Sequence, residues 1–121
     1  MDLIKRLTFE AAHRVPDAPD PRERRLHGHS FAVELVVRGE VDEARGWVLD
    51  YAEIKRCFAP LRAQLDHHCL NEVEGLDNPD ARQIARWIYE RLRAALPLLY
   101  AVRVSETEER WSRWPQQPEG G

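Results

Sequence analysis

The sequence predicts an α+β fold with the element order ββααββ, in which an antiparallel four-stranded sheet is backed by two helices. Two long segments near the start alternate apolar and polar residues with a period of two, which is typical of strands. Two later segments place apolar residues at helical spacing behind a capping pattern, and further alternating residues follow them. The length of 121 residues suits one domain, which we expect to span residues 1–115, with a flexible tail at residues 116–121.

The two N-terminal strands are predicted from their odd-numbered positions. The first strand covers residues 3–13, where these positions are mostly apolar and the last of them is His13. Residues 15–25 include several prolines, so we expect a loop without regular structure. The second strand covers residues 29–38 and carries His29 at the start of its apolar face. If the two strands pair as an antiparallel hairpin, the loop brings His13 beside His27 and His29.

Two helices are predicted from capping residues followed by apolar residues at a spacing of three or four. Asp50 and Glu53 form a D-x-x-E capping box at the start of the first helix. The apolar positions behind this box are Ile54, Phe58, Leu61 and Leu65. Asp80 and Gln83 open a second, longer helix, which we expect Pro97 to end. Its mostly apolar stripe consists of Ile84, Trp87, Ile88, Arg91, Leu92 and Ala95.

The remaining segments are predicted as connections and short strands. We expect residues 39–46 to form a polar turn and residues 47–49 a short extended piece before the first helix. A third strand alternates over residues 100–106 and places Glu106 at its end, on the face opposite Ser105. A short fourth strand is expected around residues 111–114.

The composition is that of an ordinary globular protein and argues against several classes of function. No apolar run approaches the roughly 18 residues that cross a bilayer, and the start has no signal-peptide core, so we expect a cytoplasmic protein. Cys57 and Cys69 are too few to suggest a disulfide framework, which favours a reducing compartment. The net charge of −3 argues against general nucleic-acid binding.

The segment LHGHS contains the strongest candidate for a metal site. On a strand, His27 and His29 project from the same face with their Cα atoms roughly 6.5 Å apart, so both imidazoles can reach one ion. Alone, this pattern is also typical of ordinary surface or core histidines. His13 is the candidate third ligand, and three histidines leave the open fourth position that is expected of a catalytic zinc site. From the spacing alone, both interpretations stay open.

Three further groups have a possible chemical role beside a plain structural one. Asp66 next to His67 can orient an imidazole for proton transfer, although DHH after a helix is more often a solvated loop. Glu106 can bind a guanidine-like or aminopyrimidine edge through two hydrogen bonds, although an exposed strand-end carboxylate is the commoner case. The basic cluster can meet a phosphate-bearing ligand or be solvated. This cluster consists of Arg22, Arg24 and Arg25.

Six short motifs, taken together and in order, resemble one known family. They are FEAAHR, LHGHSF, GWVLDYAEIK, LDHHCLN, LDNP and VSET. This set resembles the 6-pyruvoyl-tetrahydropterin synthase family, most of all its bacterial queuosine-pathway branch, the 6-carboxytetrahydropterin synthases. The resemblance runs from Phe9 to Thr107, which is nearly the whole chain.

The resemblance implies a T-fold, in which the sheets of several subunits join into a trimeric barrel and two trimers stack into a hexamer. It implies zinc on the three histidines, a pterin ring anchored at Glu106 and Thr107, and the Asp66–His67 pair as a proton relay across a subunit interface. The implied substrate is 7,8-dihydroneopterin triphosphate, whose side-chain hydroxyls zinc coordinates while a neighbouring C–H proton is removed. Triphosphate then leaves and, in the queuosine branch, the side chain is cleaved to a carboxylate with loss of acetaldehyde.

One position departs from the family pattern. The family places a catalytic cysteine in CxxxHGH, and here that position is Glu23. A carboxylate with an ordinary pKa near 4.3 is a much weaker base than a thiolate near 8.5 unless burial raises its pKa. The same exchange resembles a folate-linked branch that forms 6-hydroxymethyl-7,8-dihydropterin. Three more hypotheses stay open: Cys69 serves as a substitute thiol, the chain binds pterin or zinc without turnover, or it is an interaction module without a small-molecule site.

Overall fold

The two N-terminal strands form the long hairpin that their alternation predicts. The structure, a computed structural model, describes residues 2–39, 50–107 and 109–116. Strand β1 (Asp2–His13) and strand β2 (His27–Arg38) pair antiparallel over their whole length. The odd-numbered side chains of both strands face the core, where Phe9, Phe31 and Leu35 are almost completely buried. His13 lies opposite His27 at the end of this ladder.

The sheet has five strands and is mixed, so the prediction of a purely antiparallel four-stranded sheet was wrong. Strand β3 (His68–Cys69) pairs in parallel with residues 11 and 12 of β1. Strands β4 (Leu99–Ser105) and β5 (Ser112–Trp114) continue the sheet on the other side, in the order β3-β1-β2-β4-β5. A two-residue strand carries no periodic signal, so β3 could not be recognised from sequence. The short strand expected near residues 111–114 is confirmed.

Two amphipathic helices cover one face of the sheet, as predicted. Helix α2 (Tyr51–Leu65) begins at Asp50, whose side chain accepts from the Ala52 N–H at 2.8 Å. Helix α3 (Ala81–Leu92) begins at Asp80, whose side chain accepts from the Gln83 N–H at 2.8 Å. Their apolar stripes close the core against the hairpin. The residues that these helices bury are Ile54, Phe58, Leu61, Leu65, Ile84, Ala85, Trp87, Ile88 and Leu92.

Helical boundaries differ from the prediction in two places. The loop expected at residues 15–25 contains helix α1 (Pro21–Arg24), because Asp20 caps it and Pro21 suits the first helical position. Helix α3 ends at Leu92 rather than running up to Pro97. Proline disfavours the helical conformation of the residue before it, and the turns after Leu92 instead carry Leu96 into the core. A 3₁₀ turn at Leu70–Glu72 follows β3.

The alternation predicted for residues 100–106 holds in β4 from Val102 onward. Val102 and Val104 are buried, whereas Tyr100 is exposed because the register with β2 shifts between Val36 and Val37. The turn expected at residues 39–46, the extended piece at 47–49 and most of the tail at 116–121 lie outside the described residues. Among the described helices, none is long and apolar enough to span a bilayer.

Candidate functional site

Three imidazoles meet at the loop end of the β1–β2 hairpin, where β1 finishes and β2 begins. The three-histidine cluster consists of His13, His27 and His29, all on the core-facing side of the two strands. Each ring offers one nitrogen, and these nitrogens lie within 4.8 Å of one another. The ring centroids are 4.6 to 5.2 Å apart. The antiparallel ladder therefore brings together the three residues that the sequence singled out.

Backbone carbonyls fix the orientation of two of these rings. Nδ1 of His13 lies 2.7 Å from the carbonyl oxygen of Pro79, and Nδ1 of His27 lies 2.7 Å from that of Arg25. Because a carbonyl oxygen only accepts, each Nδ1 carries the proton and donates it. Each Nε2 of a neutral ring then presents a lone pair, as a metal ligand does.

Burial favours the neutral, metal-binding form of His13 and His29. His13 is completely buried, and this burial, with the neighbouring His27 and His29, lowers its pKa from 6.5 to about 4. Burial also lowers the pKa of His29. The Nε2 atoms of His13 and His29 are buried without a hydrogen-bond partner. Buried polar atoms rarely lack a partner, so this donor set fits a cation with a preference for nitrogen ligands.

Glu106 reaches the same cluster from the end of β4. Its carboxylate oxygens lie 3.6 Å from Nε2 of His13 and 3.6 Å from Nε2 of His29. Burial and the nearby charge of Glu23 raise the pKa of this carboxyl group, and Asp80 adds to the effect. The structure thus places Glu106 on the predicted side of the strand, facing the histidines.

Glu23 and Thr107 lie beside Glu106 in one pocket of about 350 Å³. Helix α1 holds Glu23 there, and the Glu23 carbonyl accepts from the Val15 N–H at 2.9 Å, which ties the helix to the start of the loop, just after β1. The Glu23 carboxylate is close enough to raise the pKa of Glu106 and to oppose the lowering of the His29 pKa. The position that departs from the family pattern therefore faces the candidate site.

The Asp66–His67 pair forms, and it is not one of the members of the three-histidine cluster, although His29 lines the same groove as His67. Nδ1 of His67 is 2.9 Å from the Asp66 carboxylate, which also accepts from the Glu10 N–H at 2.9 Å. These contacts and Arg62 lower the pKa of Asp66. The His67 side chain is 77% exposed and borders an open groove of about 570 Å³. Within the described residues, the group that could share one ion does not include His67.

The basic cluster and Cys69 take different positions. Arg22 pairs with Asp20 at 3.0 Å, and Arg24 donates to the carbonyl oxygen of Ala18 at 2.9 Å, so both side chains stabilise the loop around α1. Cys69 borders the groove beside His67, with its sulfur 3.9 Å from an Asn71 oxygen. Neither group contributes to the three-histidine cluster in the described part of the chain.

Sequence reasoning missed the backbone acceptors that orient the rings. The Pro79 and Arg25 carbonyls act through the main chain, so their residue types carry no signal. Pro79 lies in the LDNP motif, and that motif was the one indication of its position.

The sequence of this chain is similar to those of known pterin-processing proteins. The profile of the family described as 6-pyruvoyl tetrahydropterin synthase matches residues 2–116. A dihydroneopterin monophosphate aldolase of Pyrococcus furiosus is 40% identical over 95 residues, which cover 78% of this chain and 77% of that protein. A 6-carboxy-5,6,7,8-tetrahydropterin synthase of Synechocystis sp. is 38% identical over 111 residues, which cover 87% of this chain and 85% of that one.

The fold also has a counterpart among solved structures. The Caenorhabditis elegans 6-pyruvoyl tetrahydropterin synthase superposes with a TM-score of 0.83 at 24% identity, covering 97% of this chain and 96% of that chain. The family profile spans every strand and helix described above. The chain therefore belongs to the 6-pyruvoyl tetrahydropterin synthase family.

Proposed function

We propose that this chain is a zinc-dependent lyase that converts 7,8-dihydroneopterin triphosphate to 6-carboxy-5,6,7,8-tetrahydropterin. The observation that carries the proposal is the three-histidine cluster, in which the buried and unpartnered Nε2 atoms of His13 and His29 face a carboxylate and fit a metal ion. The relatives named for pterin chemistry support the substrate class. In the queuosine pathway, this product leads toward 7-deazapurines.

The positions of the site residues suggest separate roles in metal binding and pterin binding. His13, His27 and His29 would hold the ion, which supplies a Lewis acid for the substrate side chain. Glu106, half-buried directly after β4, would accept hydrogen bonds from the amino and ring N–H groups of the pterin, with Thr107 beside it.

Glu23 would take the place of the usual thiolate as the base. It lies in the pocket that Glu106 also lines, so a pterin anchored at Glu106 presents its side chain near the Glu23 carboxylate. Asp66 holds His67 through Nδ1 and would thereby set its Nε2 to pass a proton at the site of a neighbouring subunit. The exposure of His67 is compatible with such an interface.

A second product is favoured by two specific observations. Glu23 occupies the cysteine position and faces the site, and one relative at 40% identity is named an aldolase of dihydroneopterin monophosphate. An aldol-type cleavage would give 6-hydroxymethyl-7,8-dihydropterin, the product of a folate-linked enzyme. We rank it second because the other motifs favour the queuosine type.

Product analysis distinguishes these functions. We expect the zinc-loaded protein to form 6-carboxytetrahydropterin from 7,8-dihydroneopterin triphosphate, as detected by mass spectrometry. Formation of 6-hydroxymethyl-7,8-dihydropterin from the triphosphate or the monophosphate would reverse the ranking. Binding of zinc and pterin without any product would identify a non-catalytic homologue.

Substitution of Glu23 tests its role as the base. Glu23→Ala should reduce turnover by about 100-fold or more, because general bases contribute 10²–10⁴-fold. The control is Glu53→Gln, which removes a negative charge from an exposed residue in the first turn of α2. Full activity of Glu23→Ala would refute the role of Glu23, whereas gain of activity in Glu23→Cys would show that the thiol chemistry suits this site better.

A further inference from the structure

We propose that Glu106 is an exchangeable metal ligand, which occupies the fourth coordination position in the substrate-free protein and leaves it when a pterin binds. This inference rests on the proposed metal function and gives the pterin-anchoring residue a second partner. It makes one carboxylate the link between the arrival of the pterin and the opening of a coordination position.

The distances around Glu106 match a shared ion. One carboxylate oxygen lies 3.6 Å from Nε2 of His13, and the other lies 3.6 Å from Nε2 of His29. Two ligands of a tetrahedral zinc ion, each bonded at about 2.0–2.2 Å, are roughly 3.4 Å apart. The distances from the carboxylate oxygens to the two imidazole nitrogens are therefore close to the distance between neighbouring ligands on one ion.

Direct hydrogen bonding does not account for this arrangement. Nδ1 of His13 donates to the Pro79 carbonyl, so Nε2 of the neutral ring has a lone pair and no proton. An ionised carboxylate also only accepts. A protonated carboxyl group could donate to Nε2, but such an O–H···N contact would be much shorter than 3.6 Å. A cation between the two acceptors satisfies both of them.

The surroundings of Glu106 favour exchange over permanent ligation. The Glu106 side chain is 20% exposed and borders the pocket that Glu23 and Thr107 also line, so a ligand can reach it. The nearby negative charges of Glu23 and Asp80 make an unpaired Glu106 carboxylate unfavourable. A metal ion offsets this repulsion when no pterin is bound, and the N–H edge of a pterin offsets it when the pterin is bound.

Cobalt substitution tests the proposal without relying on turnover. The full-length protein is loaded with Co²⁺, and its visible spectrum and its affinity for Co²⁺ are measured against a competing chelator. We expect Glu106→Gln to shift the spectrum and to weaken Co²⁺ binding by roughly tenfold or more, the scale of losses at groups that support a metal site. The control Glu53→Gln should change neither.

Addition of unsubstituted pterin, which has no side-chain hydroxyls to bind the ion, completes the test. In the wild-type protein, this pterin should shift the Co²⁺ spectrum and weaken Co²⁺ binding, and Co²⁺ should weaken pterin binding by the same factor. In Glu106→Gln, pterin should leave the Co²⁺ spectrum unchanged. Equal Co²⁺ affinity and equal spectra in all three proteins would overturn the inference alone. Lack of Co²⁺ and Zn²⁺ binding in every protein would overturn the proposed metal function as well.

Discussion

At the scale of single residues, the candidate centre depends on where the three histidine rings lie and on which ring nitrogen carries the proton. The period of two along β1 and β2 puts the three rings on one side, and this was visible in the sequence. The proton positions were not visible, because they depend on carbonyls from residues 79 and 25. The alternation of residues predicted the face of the strand on which Glu106 lies. It could not predict the distance from Glu106 to the rings, which depends on how β4 packs beside β2.

The buried His13 predicts a pH-dependent stability of the metal-free protein. Its pKa is about 4 in the folded chain and near 6.5 when unfolded, so between these values the unfolded chain binds the extra proton. The free energy of unfolding should therefore fall as pH decreases from 6.5 to 4. The full decrease, reached below both pKa values, is roughly 3 kcal/mol. Urea denaturation across this range measures it.

Two variants isolate this contribution. His13→Gln should flatten the dependence of unfolding free energy on pH, whereas His68→Gln, which changes an exposed ring, should leave it as in the wild type. An unchanged pH dependence in His13→Gln would contradict the assignment.

At the scale of elements, capping residues determined what could be predicted. Asp50 and Asp80 predict the starts of α2 and α3 in the sequence, and both side chains cap these helices as expected. The same mechanism forms α1 at Asp20, but a four-residue helix among prolines has no periodic pattern to reveal it. Helix α1 matters because it holds Glu23 in the pocket with Glu106.

The cap of α3 predicts a stability difference between two similar variants. Asp80→Ala removes the acceptor of the Gln83 N–H, and we expect a loss of about 1 kcal/mol and a Tm lower by a few degrees. Asp80→Asn retains an acceptor at the cap and should lose much less. Thermal unfolding of both variants checks this, and equal losses would show that charge rather than capping is responsible.

At the scale of the whole molecule, the sheet has an edge that one chain leaves partly uncovered. Strand β3 pairs with β1 at residues 11 and 12, and Arg62, Asp66 and His67 bond to residues 8 and 10, so within the described chain the outer edge of β1 from residue 2 to residue 7 has no neighbouring strand. Long uncovered edges favour pairing with another chain, and closing a barrel removes them. We therefore retain the expectation of an oligomeric barrel, which the family resemblance implied.

Subunit mixing tests whether the active site is shared. If His67 serves the metal centre of a neighbour, His67→Ala and His13→Ala should each be inactive alone. Mixed oligomers of the two should regain activity, because some sites then combine an intact metal centre with an intact relay. Native mass spectrometry verifies the mixing, and mixed oligomers without activity would place both groups in one subunit or deny His67 a role.

The three-histidine cluster is the proposed site of the metal ion. The metal content of the purified protein tests this assignment, measured by mass spectrometry of the elements after reconstitution with zinc and removal of excess metal. We predict one zinc ion per chain in the wild type and almost none in His13→Ala, with the fold of the variant checked by circular dichroism. A wild-type protein without zinc, or a folded His13→Ala that keeps a full complement of zinc, would contradict the assignment of these histidines as metal ligands.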